Sequence, residues 1–289
     1  MSLVERASDH LSHLSYRLRL LRRRPGDDPD FIVIGAQKSG TTALYEYLVQ
    51  HPQILPAVTK EVHFFDRGEV RGRGLSHYRS HFWPERHKRR VARDVGEPVL
   101  SGEATGTYLF YRPVPRLVAE ALPDVRLIAV LRHPVHRALS HYHHLRRDPE
   151  REEPLSFDEA VRAEDERVAE DERKLRSDPL HEAKALKTYS YIRRGLYHEQ
   201  LRRWLKFFDR EQLLVLHSRD LRETPDEALE DVFGFLGVDR VEIPNTGPRH
   251  VGSYEQDIDP STREFLERRF REDASRLFEL LGEDWGWFA

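Results

Sequence analysis

No cysteine occurs anywhere in the 289 residues. That absence excludes a disulfide framework, a thiolate zinc site and a cysteine nucleophile, and it gives no hint of an oxidising compartment. Long hydrophobic runs are missing too. The longest, at 31–34 and 127–131, have strand length, far short of the ~20 residues a membrane-spanning helix needs. The N-terminus lacks a continuous apolar core followed by a small-residue cleavage site, so no signal peptide is expected and a cytoplasmic location is the default. Net charge is almost absent: 47 Lys and Arg against 50 Asp and Glu give −3. Such a balance does not describe a nucleic-acid-binding surface, and any anion site must be assembled locally.

What is present points to one α/β domain. A hydrophobic share of 38% suffices for a core at this length, and a charged share of 34% implies a heavily solvated surface. Residues 31–34 (FIVI) are an apolar, β-branched run expected to form a buried parallel strand. After the small-residue loop 35–42, Ala43, Leu44, Tyr47 and Leu48 recur at helical spacing, and this helix should stop near His51 and Pro52. Residues 60–66 read as a short strand or a loop, 99–103 and 125–131 as strands, and 135–147 as a helix entered through Pro134. A helix carrying Tyr197, Leu201, Trp204 and Phe208, a strand over 213–216, and helices over 227–236 and 260–281 follow. Strands alternating with helices predict a mostly parallel central sheet flanked by helices, a three-layer P-loop-like α/β fold.

Two stretches differ in character. Residues 1–29 form a basic N-terminal segment whose Leu and Arg alternation around 17–24 suits an amphipathic helix, expected to pack on the domain rather than lie on a membrane. Within the single domain 30–289, residues from about 146 to 187 make a charged insertion dense in Glu, Asp and Arg. A solvated helical face is expected there, with a mobile cover over a ligand cleft as the alternative.

The run from Gly35 to Thr42 (GAQKSGTT) lies between a strand and a helix, where backbone N–H groups and a helix N-terminus can face an anion. Its glycines are spaced as in a nucleoside-triphosphate loop, but there the lysine follows the last glycine. Here Thr41 holds that place and Lys38 sits inside the loop. Taken alone, the run is equally an anion cradle or a structural turn.

Together with three further segments in the same order, this run resembles the 5′-phosphosulfate loop of sulfotransferases that use 3′-phosphoadenosine 5′-phosphosulfate (PAPS). The likeness is to the heparan sulfate N- and 3-O-sulfotransferase type and its bacterial relatives. Residues 60–66 (KEVHFFD) resemble the segment carrying the catalytic base of 3-O-sulfotransferases, and 131–140 (LRHPVHRALS) the strand and helix that bind the 3′-phosphate. Gly195, Tyr197 and Trp204, then residues 212–216, 235–237 and 284–287, are similar to the family's second half. The resemblance covers residues 30–288.

It implies in-line transfer of a sulfuryl group from PAPS to an acceptor hydroxyl or amine, releasing the bisphosphate PAP, with no metal. On this resemblance Lys38 neutralises the bridging oxygen as the S–O bond breaks, and Gln37, Ser39, Gly40, Thr41 and Thr42 complete the 5′-phosphate loop. Glu61 is the implied general base. His63, two residues on, faces the same side if the segment is extended, and would assist proton handling or hold the acceptor. Arg132 and Ser140 are implied 3′-phosphate ligands, with Tyr197 and Arg249 as further nucleotide contacts. Arg137 is a less definite candidate, and the cluster His141, His143 and His144 reads as a polar helix face rather than a metal site.

Two departures from the pattern stand out. The heparan enzymes carry a lysine where this chain has Ala104, between Glu103 and Thr105, and their C-terminal Lys-Gly-Arg loop is represented only by the region around Arg249. Both bear on a heparan-type polysaccharide acceptor and leave the donor assignment intact. A small molecule or a carbohydrate is the expected acceptor, with no nucleic acid and no integral membrane segment. The competing readings are a P-loop ATP-dependent small-molecule kinase and a catalytically silent nucleotide-binding protein.

Overall fold

The computed structural model describes residues 26–147, 153–178, 180–247 and 258–288. Most of the basic N-terminal segment and Arg249 lie outside the described residues. Five strands, β1 (Phe31–Gly35), β2 (Ile54–Pro56), β3 (Leu100–Glu103), β4 (Arg126–Leu131) and β5 (Leu213–His217), form one sheet in the order β2-β3-β1-β4-β5. Every pairing is parallel. Around it lie α1 (Thr41–Leu48), α2 (Glu85–Val95), α3 (Val114–Ala121), α4 (Pro134–Arg147), α5 (Phe157–Arg162), α6 (Glu164–Ser177), α7 (Lys184–Tyr189), α8 (Tyr197–Trp204), α9 (Pro225–Leu236) and α10 (Pro260–Leu281).

The central strands are unbroken apolar runs because both their faces are covered. Ile32, Ile34, Leu127, Ala129 and Leu131 turn to a layer that contains Tyr197, Leu201, Trp204 and Leu277. Phe31, Val33, Ile128 and Val130 turn to the opposite layer with Leu44, Leu48, Leu229 and Phe233. Each large side chain so buried contributes about 1.5–3 kcal/mol, which fixes β1 beside β4 at the centre of the sheet.

That pair also sets where a ligand can bind. From β1 the chain leaves toward β2, on one side of the sheet; from β4 it leaves toward β5, on the other. Beyond the carboxyl ends of two such strands the connections diverge and leave a crevice. The loop at 36–40 and the turn at 132–133 both open there.

β2, α2 and α3 are absent from the sequence reading. β2 is three residues long and ends in Pro56; α2 buries only Lys88, whose ammonium reaches the Asp30 carboxylate at 2.5 Å. Neither carries an apolar period. Residues 60–66 take the loop alternative, not the strand: they include a turn over 64–66, and His63 has a left-handed φ of 55°.

The charged insertion also departs from expectation. Much of its surface is solvated, but three of its carboxylates are structural. Glu164, fully buried, accepts the Ile192 and Arg193 amides at 2.5 and 3.0 Å. Glu153 accepts from the Arg167 guanidinium and the Tyr191 hydroxyl, and Asp171 accepts the Leu186 amide at 3.0 Å. A run of charges alone does not distinguish solvated carboxylates from those that satisfy buried amides.

Candidate active site

The loop after β1 is held open by backbone geometry. The Ala36 amide donates to the Val130 carbonyl at 2.7 Å, pinning the loop to β4. Gly40 has φ 108°, a conformation that favours glycine although a Cβ there would meet no close atom. Lys38 is also left-handed, at φ 71°. Among the described residues, Lys38 and His63 are the non-glycine residues with positive φ. Such a backbone costs on the order of 1–3 kcal/mol and persists where the surroundings over-determine it, commonly at functional sites.

Thr41 opens α1, so the first amides of that helix face the crevice with their helix dipole. Across it, Arg132 follows β4 and Ser140 lies mid-way along α4, both partly exposed. Tyr197 does not reach the crevice surface. Its ring is fully buried, and its hydroxyl donates to the Arg132 carbonyl at 2.9 Å, beside Ser39. It positions the turn that carries Arg132. Gly195, just before it, passes so close to Phe270 and Pro134 that a Cβ would lie 2.7 and 3.0 Å from them.

The crevice is strongly cationic. Burial lowers the Lys38 pKa, and the nearby Arg147, Arg132 and Arg137 charges lower it further, with Glu61 opposing. Arg137 is fully buried and donates Nη2 to the Tyr191 carbonyl at 2.5 Å. Its Nε and Nη1 are buried without hydrogen-bond partners, and desolvation lowers its pKa to about 10. Gln37 Oε1 is likewise buried and unpartnered. His141 is fully buried against Tyr191, and desolvation holds it neutral, its pKa pushed well below the ordinary value.

The turn at 60–66 brings a second set of groups to this crevice. His63 Nε2 lies 3.2 Å from Glu61 Oε2, and His63 Nδ1 lies 3.0 Å from Asp66 Oδ2. The Asp66 carboxylate also accepts the Thr107 hydroxyl at 2.6 Å. Lys60 Nζ bridges Thr42 Oγ1 at 2.7 Å and Glu61 Oε1 at 2.9 Å, so the end of the glycine loop and the carboxylate are joined through one ammonium. Burial alone would lower the His63 pKa, but the two carboxylates outweigh it and raise it to about 9. Burial alone would raise that of Glu61, but the bonds from His63 and Lys60 outweigh it and bring it to about 2. Asp66 and Lys60 were not singled out from sequence; their signal was position within the KEVHFFD run.

Beside Asp66 opens a cavity of about 280 Å³, lined on one side by Phe65, Asp66 and Tyr111 and on the other by Leu186, Lys187 and Arg203. Lys187 Nζ donates to the Asp66 carbonyl at 3.1 Å. The insertion therefore contributes a wall of the chamber next to the Glu61 turn. Among the described residues, no group of three or more His, Asp or Glu side chains is arranged to hold a metal ion.

The site combines a parallel α/β sheet, a glycine loop and a second cationic turn at its switch point, and a carboxylate–imidazole pair joined to that loop through Lys60. Residues 28–246 match the sulfotransferase domain, and the chain belongs to that family. It is similar to the membrane-associated sulfotransferase kil1 of Dictyostelium discoideum, 26% identical over 90% of this chain and 66% of the relative. It is also similar to the human bifunctional heparan sulfate N-deacetylase/N-sulfotransferase 3, 33% identical over 73% of this chain and 22% of the relative. The chain thus spans about two thirds of the first and about a fifth of the second. The crystal structure of a sulfotransferase from Alicyclobacillus acidocaldarius is 33% identical, with a TM-score of 0.64 and coverage of 91% of this chain and 100% of that one. The resemblance read from the motifs is borne out, and the kinase alternative is not favoured.

Proposed function

We propose that the chain transfers a sulfuryl group from PAPS to an acceptor hydroxyl or amine, releasing PAP. The observation that carries this reading is the cluster of Lys38, Arg132, Arg137 and Arg147 charges at the β1–β4 switch point, within reach of an ionised Glu61. Mutually repelling cations, one of them a buried guanidinium with two orphaned N–H-bearing atoms, suit a ligand that is anionic at both ends. PAPS fits that description and, when bound, supplies an activated sulfuryl group and a bisphosphate leaving group.

Lys38 and the amides at the start of α1 hold the 5′ end, with Gln37, Ser39, Gly40, Thr41 and Thr42 shaping the loop. Arg132 and Ser140 hold the 3′-phosphate, and the planar guanidinium can take two phosphate oxygens at once. Lys38 neutralises charge on the leaving oxygen. Glu61 accepts the acceptor proton. A carboxylate with a pKa near 2 is a weak base, but the hydroxyl it serves grows acidic as its oxygen bonds to sulfur, so proton transfer can follow bond formation. His63, charged and tied to Asp66, holds the Glu61 carboxylate in place.

The acceptor body binds in the chamber beside Asp66. At about 280 Å³ it approaches the ~300 Å³ lower end of small-molecule sites, which favours a compact acceptor or a single sugar unit. Incubation with PAPS and a panel of hydroxylated and amine acceptors, with a chelator present, tests the reaction. PAP should accumulate only where an acceptor is sulfated; in a parallel incubation with ATP and magnesium, formation of ADP with a phosphorylated acceptor would contradict it.

A further inference from the structure

Glu103, the last residue of β3, is fully buried directly beneath the 61–66 turn. Its Oε2 accepts the Val62 N–H at 3.1 Å and the Thr105 hydroxyl, and Thr105 Oγ1 in turn accepts the His63 N–H at 3.3 Å. Its Oε1 accepts the hydroxyls of Tyr78 at 2.9 Å and Tyr108 at 3.2 Å. The Tyr108 oxygen accepts the amides of Phe64 at 2.9 Å and Phe65 at 3.4 Å. Four consecutive amides, 62 to 65, therefore hang on one carboxylate, directly or through a single hydroxyl. The turn belongs to no strand or helix, so no ladder satisfies these groups, and buried amides need an acceptor. An ionised carboxylate offers about four acceptor sites, and here each oxygen takes two donors. The Lys60 carbonyl accepts the Ala104 amide at 2.9 Å, which clamps the start of the turn to the same stretch.

We infer that Glu103 is a positioning residue: its carboxylate fixes the 61–66 turn in the left-handed conformation at His63 that lets the imidazole join Glu61 to Asp66. The functional weight of this inference rests on the proposed role of Glu61; the conformational claim stands on the hydrogen bonds alone. Glu103→Gln turns one carboxylate oxygen into an NH₂ group, so the two donors on that side lose their acceptor. Thr105→Val removes the hydroxyl that relays the carboxylate to the His63 amide.

The groups facing Glu103 are Tyr78 from the helical turn Leu75–Arg79, Tyr108 and Thr105 from the stretch after β3, and the Val62 amide. Those facing His63 are Glu61, Asp66 and Arg67 of its own turn, with Thr107 and Lys187 reaching it through Asp66. Burial pushes the Glu103 carboxyl up to about 7 against its four donors, so the anchor is itself sensitive to mild acid.

The test is the His63 titration midpoint, read by NMR in protein carrying ¹³C-labelled histidine and assigned with His63→Gln. In the wild type the midpoint should lie near 9. In Glu103→Gln and in Thr105→Val it should fall by about one pH unit or more, toward the ordinary 6.5, as the imidazole leaves its two carboxylates. Cooperative thermal unfolding shows which variants are folded; if Glu103→Gln is not, Thr105→Val decides. A folded variant of either kind that keeps the wild-type midpoint overturns the inference. Titration with PAP, read separately, reports on the nucleotide crevice: wild type that fails to bind PAP contradicts the proposed reaction, and the His63 midpoints still judge Glu103.

Discussion

His63 Nε2 lies 3.2 Å from Glu61 Oε2, and a left-handed φ of 55° at His63, rather than the alternation of a strand, brings the two together. The imidazole thereby sits between two carboxylates and holds its proton up to about pH 9. A histidine whose folded pKa is raised stabilises the fold fully below its ordinary 6.5 and loses that contribution as pH rises through about 9. The melting temperature of wild type should therefore exceed that of His63→Gln most at pH 6, with the gap closing by pH 9.5. A gap that stays constant across this range would mean that His63 is not charged in the fold.

Glu61→Gln removes the proton acceptor and keeps the shape of the turn. Turnover of PAPS with a competent acceptor should fall by about two to four decades, while calorimetric affinity for PAP stays near the wild-type value. Unchanged turnover would refute the assignment.

Lys38 and Arg132 should separate kinetically. Lys38→Ala removes a charge needed as the leaving oxygen develops, so kcat should fall by about 10²–10³-fold. Arg132→Ala should first weaken PAP binding, by about ten- to a hundredfold for the loss of a charge-assisted contact. Normal PAP affinity in Arg132→Ala would count against its 3′-phosphate role.

Leu186, buried on the insertion wall of the chamber, offers a test of the acceptor site. Leu186→Trp should raise acceptor KM by about tenfold or more through lost space and leave PAP affinity unchanged. An unaffected KM would place the acceptor elsewhere.

The sheet and the glycine loop were legible in the sequence because each rests on local pattern. A both-faces-buried strand reads as an unbroken apolar run, as at 31–34, and the glycines of 35–42 mark a turn before a helix. The motif order was enough to bring Lys38 and Arg132 to one crevice, which the β1–β4 pairing explains. The turn at 61–66 was less legible. Its polar alternation permits a strand, and only the anchor at Glu103, about 40 residues later, shows why the chain instead takes a left-handed step at His63. The buried carboxylates of the insertion are hidden in the sequence for a related reason. Glu164 and Glu153 resemble their solvated neighbours in composition, and their burial depends on amides and hydroxyls near 191–193 that sequence spacing does not reveal.

The nucleotide claim is tested most directly by isothermal titration of the wild-type protein with PAP and with ATP in the presence of a chelator. A crevice built for PAPS requires sub-millimolar PAP binding without magnesium, and weaker binding of ATP, which has no 3′-phosphate for Arg132 and Ser140 to grip. Absence of PAP binding, or tighter binding of ATP once magnesium is restored, would contradict it.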